Sequence, residues 1–295
     1  MKLISLLLAG LSLGSMYALV AMGFVMIYRA SAVLNFAHGA FVLVGAFAIA
    51  STAPQWGFWP AALFGVVLVA LLAMIVERTL VGRRGASSPV TTTIVTIGLD
   101  IILFTLVSTL LGSRILSLEQ PWGGAAFTVG GLGITVNRLI GLLTSAVLIV
   151  ALLLAFRYTT WGMQMRAVAE DREAAAISGI RVGRVTTLSW GVAGALAGVA
   201  AIFLTGAPTP GLTPAISTVA LVAFPAAVIG GLSSVPGALV GGLLVGVAES
   251  VATGYQDQLA FLGRGFGAVV PYILVLVVLV IRPAGLFGSK EVARA

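Results

Sequence analysis

The sequence predicts an all-α polytopic membrane protein, a bundle of about eight or nine transmembrane helices with one short helix on its surface. Three observations lead there. Of 295 residues, 60% are hydrophobic and 8% are charged, against roughly 25% charge in a soluble domain. Mean hydropathy is +1.15. Residues 185–248 contain no Asp, Glu, Lys or Arg, and between Arg29 and Glu77 the sole titratable side chain is His38. Each run exceeds the ~20 apolar residues that cross a bilayer once, so each holds more than one crossing. A water-soluble fold leaves about a quarter of its chain's surface exposed, and this chain lacks the polar residues to cover it.

Charged residues and glycine or proline breaks divide the chain into nine apolar segments: 3–28, 34–51, 59–76, 90–111, 139–156, 185–205, 216–230, 237–252 and 269–281. The first is longer than the ~7–15-residue core of a signal peptide and a second segment follows at once, so it reads as a retained helix. The last three are short, and short segments between glycines and prolines are often broken or re-entrant, tolerated where protein surrounds them. Pro225, Pro236 and Pro271 lie in or beside them. There they kink the helices or form a hinge.

Basic residues orient the bundle. Arg29, Arg78, Arg83, Arg84, Arg157, Arg166, Arg172, Arg181, Arg184, Arg282, Lys290 and Arg294 fall on one side, and Lys2, Arg114, Arg138 and Arg264 on the other. That bias marks the first side, and the C-terminus with it, as cytoplasmic. The uncharged loops 52–58 and 206–213 then fall outside. Nine crossings put Lys2 outside as well; one re-entrant segment, at 34–51 or within the pair 216–230 and 237–252, moves it inside. The basic excess thus reads as topology, and no nucleic-acid partner is expected.

Glycine is abundant, at 37 residues. Lipid tails solvate apolar side chains as well as other helices do, so membrane helices associate by close backbone approach at small residues. The stretches 191–198 and 237–242 carry small residues at four-residue spacing. They serve bundle packing or line a solute path.

One polar segment stands out. Seven of the 25 Asp, Glu, Lys and Arg residues lie between Arg166 and Arg184. Alanine and glutamate favour helix, Arg166 and Glu170 are spaced to pair, and Gly179 suits a left-handed C-terminal cap. A surface helix over 163–178 is predicted, within a cytoplasmic loop 157–184 of a single membrane domain, 1–295. It either links two spans or docks a cytoplasmic partner, with small alanines at 174, 175 and 176 admitting a partner's groove.

Here the sequence resembles a known family. Glu173-Ala-Ala-Ala-Ile-Ser-Gly179 resembles the Glu-Ala-Ala-x-x-x-Gly coupling motif of bacterial ATP-binding-cassette importer permeases. The wider motif continues with Ile-x-Leu-Pro, where this chain has Ser189-Trp-Gly-Val192. Gly10-Leu-Ser-Leu-Gly-Ser-Met-Tyr17 and Leu34-Asn-Phe-Ala-His-Gly39 resemble the opening of branched-chain amino acid permeases. Arg166-Ala-Val-Ala-Glu-Asp171, the stretch from Ala227 to Ala238, Ala248-Glu249 and Arg282-Pro-Ala-Gly-Leu-Phe-Gly288 resemble later segments of that group, in the same order. The external segment 112–137 is shorter than many members carry.

The resemblance implies a permease subunit of an importer in the bacterial inner membrane. Branched-chain amino acids, or urea, short amides or aromatic acids, would cross by alternating access. It implies two cytoplasmic ATPase subunits, a second related permease subunit in a heterodimer, and a periplasmic substrate-binding protein. It implies ATPase coupling through Arg166, Glu170, Asp171, Glu173, Ala174, Ala175 and Gly179. No Gly-x-x-x-x-Gly-Lys-Ser/Thr loop occurs, so ATP hydrolysis is expected on separate subunits. With no cysteine and one histidine, no Cys-ligated or multi-histidine metal site is expected; no nucleophile with a base is visible, so no catalytic residue and no cofactor are expected either. A channel or ion-coupled transporter would need ion sites near the midplane, and only Asp100 qualifies.

Three residues are candidates for the substrate path. Asn35 and His38 are spaced to share a helix face, where they cap or join two helices near Arg29, at the cytoplasmic edge, or line the path. Asp100 lies mid-segment, where a carboxylate costs ~2.5–3.5 kcal/mol on insertion scales, so it should face protein or a wet cavity. Glu249 is expected near the outer end of its segment, solvated or paired with Arg264 or Arg138.

Overall fold

The computed structural model describes residues 2–82, 88–114, 116–118, 120–129, 132–205, 211–263 and 265–288. Arg83, Arg84, Arg264, Lys290 and Arg294, used above to orient the bundle, lie outside the described residues. Helices run in the order α1 (Lys2–Ser31), α2 (His38–Trp56), α3 (Phe58–Val76), α4 (Pro89–Leu111), α5 (Val136–Tyr158), α6 (Thr160–Glu170), α7 (Arg172–Ile177), α8 (Val182–Leu204), α9 (Thr218–Gly230), α10 (Val235–Gly254) and α11 (Val270–Ile281). A π-helical turn, Glu77–Val81, extends α3, and a 3₁₀ turn, Pro214–Ser217, leads into α9. Among the described residues, seven helices are long and apolar enough to cross a membrane, and the apolar stretches Pro214–Gly230 and Phe266–Ile281 are shorter.

Every apolar segment read from the sequence is a helix, with three adjustments. The α4–α5 connection holds a small antiparallel hairpin, β1 (Ala126–Val129) with β2 (Leu132–Thr135), so the chain is not helical throughout. The segment 34–51 begins late and ends late: residues 32–37 are non-helical and α2 continues to Trp56. The predicted 52–58 loop is therefore absent. A single residue, Gly57 at φ +79°, turns α2 into α3, a backbone region glycine enters at little cost. The third concerns the surface helix and follows with the site.

α1 is the central post. Between Leu19 and Ile27 nearly every side chain is fully buried, as expected of a helix that is apolar all round. It packs against α10, α8, α9 and α5, while α3 closes on α8 and α2. Glycine makes the α1–α10 seam. A Cβ on Gly14 would stand 2.8 Å from Leu243 Cα, one on Gly242 2.5 Å from Ala18 N, and one on Gly246 would overlap the Gly14 backbone. The helices touch backbone to backbone, the close approach by which small residues hold membrane helices together.

Candidate functional site

The non-helical stretch 32–37 leaves α1 at Ala32, whose φ of +54° is the one positive value among the described non-glycine residues. Asn35 lies in this stretch, not on a helix, so its predicted shared helix face with His38 is not formed. Its Oδ1 accepts from Ala37 N at 3.1 Å, and its carbonyl accepts from His38 N at 3.3 Å. Asn35 thus sits at the join of α1 and α2, the role weighed for it from sequence, but the join lies level with the middle of α8 and not at the cytoplasmic edge expected for it.

His38, the first residue of α2, is fully buried. A Cβ on Gly23 would stand 2.6 Å from the His38 ring and 3.6 Å from Ala193 O. Ala193 is the central residue of the 23-residue α8, so α2 begins level with the middle of a full-length span. The ring packs on Phe24 at 4.8 Å between centroids. Neither ring nitrogen nor Asn35 Nδ2 has a hydrogen-bond partner of good geometry; the Val20 carbonyl lies near the ring.

Asp100 is the central residue of the 23-residue α4. It is half-buried, beside the backbone amide of Ala40 in the first turn of α2. With Gly39, Ser217, Thr218, Phe24 and Phe224 it lines a cavity of about 70 Å³. One turn earlier on α4, Thr96 Oγ1 accepts from Phe36 N at 3.1 Å and donates to Leu34 O at 3.2 Å. A Cβ on Gly39 would reach Ser217 O at 2.5 Å. The N-termini of α2 and α9 therefore meet at mid-depth beside a carboxylate; Asp100 and Gly39 line the cavity there, whereas Asn35 and His38 do not, the His38 ring lying against Gly23 and Phe24.

A larger cavity, of about 390 Å³, lies between α1, α5, α8 and α10. It sits where α5 and α1 begin and α8 and α10 end, at the opposite end of the bundle from α6 and α7. Glu249 lines it, and so does Arg138. The sequence placed Glu249 in solvent or in an ion pair. It is half-buried, its Oε2 accepts from Tyr17 OH at 2.8 Å, and it makes no ion pair with Arg138 or any other described residue; Arg264, the other partner weighed for it, lies outside the described residues. Tyr17 was invisible as a partner because it is 232 residues away. Glu77 was missed too. It is 3% exposed and accepts from Thr187 Oγ1, whereas a charge at the end of an apolar run reads as solvated.

At the other end, the predicted continuous helix 163–178 is two helices. The break falls at Asp171 (φ −152°, ψ 109°), whose Oδ1 accepts from Glu173 N and Ala174 N, both at 2.9 Å. An aspartate that caps the next helix competes with continuing the previous one. Arg166 donates to Phe156 O rather than pairing with Glu170, and Arg172 Nη1 donates to Ala30 O at 3.3 Å. Buried Met165 accepts from Ser189 Oγ at 3.4 Å. These contacts pin the segment to α5, α1 and α8.

α7 ends at Gly179, with φ +83°. Gly179 N donates to Ala176 O and Ile180 N to Ala175 O, both at 3.0 Å, the paired bonds of a Schellman cap. Glu173, Ala174, Ala176 and Gly179 are exposed, and Ile177 is 83% exposed. Ala175 turns inward at 4%, so it is not part of the outward face assigned to it from sequence, because successive residues of an α-helix point about 100° apart and three in a row cannot share one side.

Residues 6–281 match the family described as "Branched-chain amino acid transport system / permease component". The chain belongs to this family. The high-affinity branched-chain amino acid transport system permease protein LivH of Escherichia coli is 32% identical over 97% of this chain and 95% of its own length. BraD of Pseudomonas aeruginosa, a high-affinity branched-chain amino acid permease protein, is 29% identical over 98% and 96%. A probable LivH of Methanocaldococcus jannaschii is 31% identical over 93% and 89%. These relatives match this permease component over nearly its whole length and most of their own.

Proposed function

We propose that the chain is the permease subunit of an ATP-binding-cassette importer and carries branched-chain amino acids across the bacterial inner membrane by alternating access. The observation that carries this reading is the collinear match to branched-chain amino acid permeases over 97% of the chain. The bundle adds support. Its α6–α7 segment is tied to three spans yet exposes Glu173, Ala174, Ala176 and Ile177, as a helix received by an ATPase cleft requires. Arg166 and Asp171 shape that segment, Ala175 anchors it, Gly179 caps it, and Glu170 and Glu173 carry its exposed charge. Partner charges set register at such contacts.

The partners are two cytoplasmic ATPase subunits, a second related permease subunit in a heterodimer and a periplasmic substrate-binding protein. Residues 157–184 form the coupling loop of the single domain 1–295, and the C-terminus is cytoplasmic. The seven long helices with two shorter apolar ones fit eight or nine crossings. Asn35, His38 and Asp100 belong to the substrate path: half-helix N-termini and a carboxylate at mid-depth are how discontinuous helices hold polar solutes in a membrane. ATPase closure moves α6–α7, and the attached spans reorient.

The test is uptake by proteoliposomes holding this chain together with the second permease chain, the ATPase subunits and the binding protein proposed as its partners. ATP-dependent uptake of labelled leucine, isoleucine and valine is expected. Uptake of urea, a short amide or phenylalanine instead would replace the substrate assignment. Solute flux that ignores ATP would overturn the importer reading.

A further inference from the structure

We infer that the 390 Å³ cavity is an outer binding site for a zwitterionic amino acid, with Arg138 taking its carboxylate and Glu249 its ammonium. This rests on the proposed import of amino acids and adds a site that the sequence did not single out.

Four observations converge. The cavity holds one cationic and one anionic side chain, both half-buried, and among the described residues they make no ion pair with each other or with anything else. Opposite charges that share a cavity in a membrane normally pair, because each is costly unpaired. Two that stand apart leave room for a ligand that carries both signs. Second, Arg138 sits in the first turn of α5, where the helix dipole disfavours a cation, and such local violations concentrate at functional positions. Its backbone is held in place, with Ser12 Oγ donating to Arg138 O at 3.1 Å. Third, Tyr17 OH fixes Glu249 Oε2 at 2.8 Å, which leaves Oε1 for an ammonium. Fourth, Leu13, Met16 and Phe203 line the same space and suit a branched aliphatic side chain. The volume falls in the range of roughly 300–1,000 Å³ typical of small-ligand sites.

Position gives the site its place in the cycle. The cavity lies at the end of the bundle away from α6 and α7, so in an importer it opens toward the binding protein. The mid-depth cavity beside Asp100 is smaller, about 70 Å³. A solute released outside meets the Arg138–Glu249 pair first, desolvates its two charges there, and then moves inward.

The chain contains no cysteine, so one placed at Thr253, exposed on the cavity lining, reports occupancy. The full chain with Thr253→Cys is put in phosphatidylglycerol vesicles and labelled with a water-soluble maleimide. Excess L-leucine is expected to slow labelling. Leucinamide, which lacks the carboxylate, and 4-methylpentanoate, which lacks the ammonium, should need roughly ten- to hundredfold more for the same protection, the worth of one charged hydrogen bond. In Arg138→Gln leucine should fall to the level of leucinamide, and in Glu249→Gln to that of 4-methylpentanoate. Ser250→Cys, on the same lining, repeats the reading should Thr253→Cys fold poorly. Undiminished leucine protection in both glutamine variants would overturn the proposal. So would protection that follows added phosphatidylethanolamine and ignores leucine, since that marks a lipid headgroup. Wild-type uptake separates the two readings: uptake without protection breaks this site alone, and protection without ATP-dependent uptake breaks the importer reading alone.

Discussion

The α1–α10 seam and the α6–α7 segment are held by opposite means. Along the seam, Gly14, Gly242 and Gly246 bring backbones into contact with nothing between them. In the surface segment α6 is packed on its inner face, at Gly162, Met165 and Val168, but the exposed α7 takes its shape from caps: Asp171 at one end and Gly179 at the other. The comparison teaches that this chain spends its steric tolerance in the membrane and its conformational signals at the surface. A substitution in the seam should act through stability, and one in the segment through shape with the bundle intact.

Gly246→Val tests the first half most severely. Its side chain would enter the Gly14 backbone, which cannot yield without parting two helices. Overpacking commonly costs 1–3 kcal/mol, and a loss of about 3 kcal/mol is expected here. Thermal unfolding in detergent should show it, and an unchanged midpoint would mean the seam is looser than described.

Gly179→Val comes next, at roughly 1–2 kcal/mol for a β-carbon forced into the left-handed region. Space is not at issue, since a Cβ there meets nothing within 4 Å. Backbone conformation alone should order the variants, Val worst, then Ala, then Asn, which tolerates positive φ. Pulldown of the ATPase subunits reads that order while membrane levels stay normal. Equal binding by all three would remove the cap from the coupling argument.

Asp171→Ala should cost about 1 kcal/mol, confined to α7, by stripping the acceptor from Glu173 N and Ala174 N. Hydrogen exchange at those two amides should quicken, and Asp171→Asn should restore protection. Should the amides exchange no faster in Asp171→Ala, the two-helix description fails. Glu173→Lys is the mildest for the fold, because the side chain is exposed. The protein should insert and melt as wild type yet lose ATP-driven uptake. Normal uptake would remove Glu173 from the docking surface.

The same contrast explains what the sequence could reveal. All nine apolar segments were legible, because a run of apolar residues announces a membrane helix without help from its neighbours. The Gly179 cap was legible for a similar reason: its partners, Ala175 and Ala176, are within four residues. The break at Asp171 was local as well, but an alanine-rich context masked the capping pattern. What could not be read was pairing over distance. Tyr17 and Glu249 are separated by 232 residues, and Thr187 and Glu77 by 110. Asn35 and His38 were paired by spacing on a helix that does not form there, and Asp100 was picked for its place in mid-segment; that α2 starts at mid-depth beside Asp100 is encoded by no periodicity.

The single-residue turn at Gly57 has a mechanical consequence. Two helices joined by one residue cannot slide past each other, since a shift of even one turn, about 5.4 Å, exceeds the ~3.8 Å between adjacent Cα atoms. α2 and α3 must therefore travel as one stiff lever. The α2 arm ends in the His38 ring, and the α3 arm, of nearly equal length, reaches Glu77 beside Thr187, near the base of α8. Any displacement of α8 at that base is carried along α3, turned at Gly57 and delivered to the middle of the membrane. On the α1 side, slack lies at Ala32 and the five residues after it, so that stretch is a pivot on which the lever can swing.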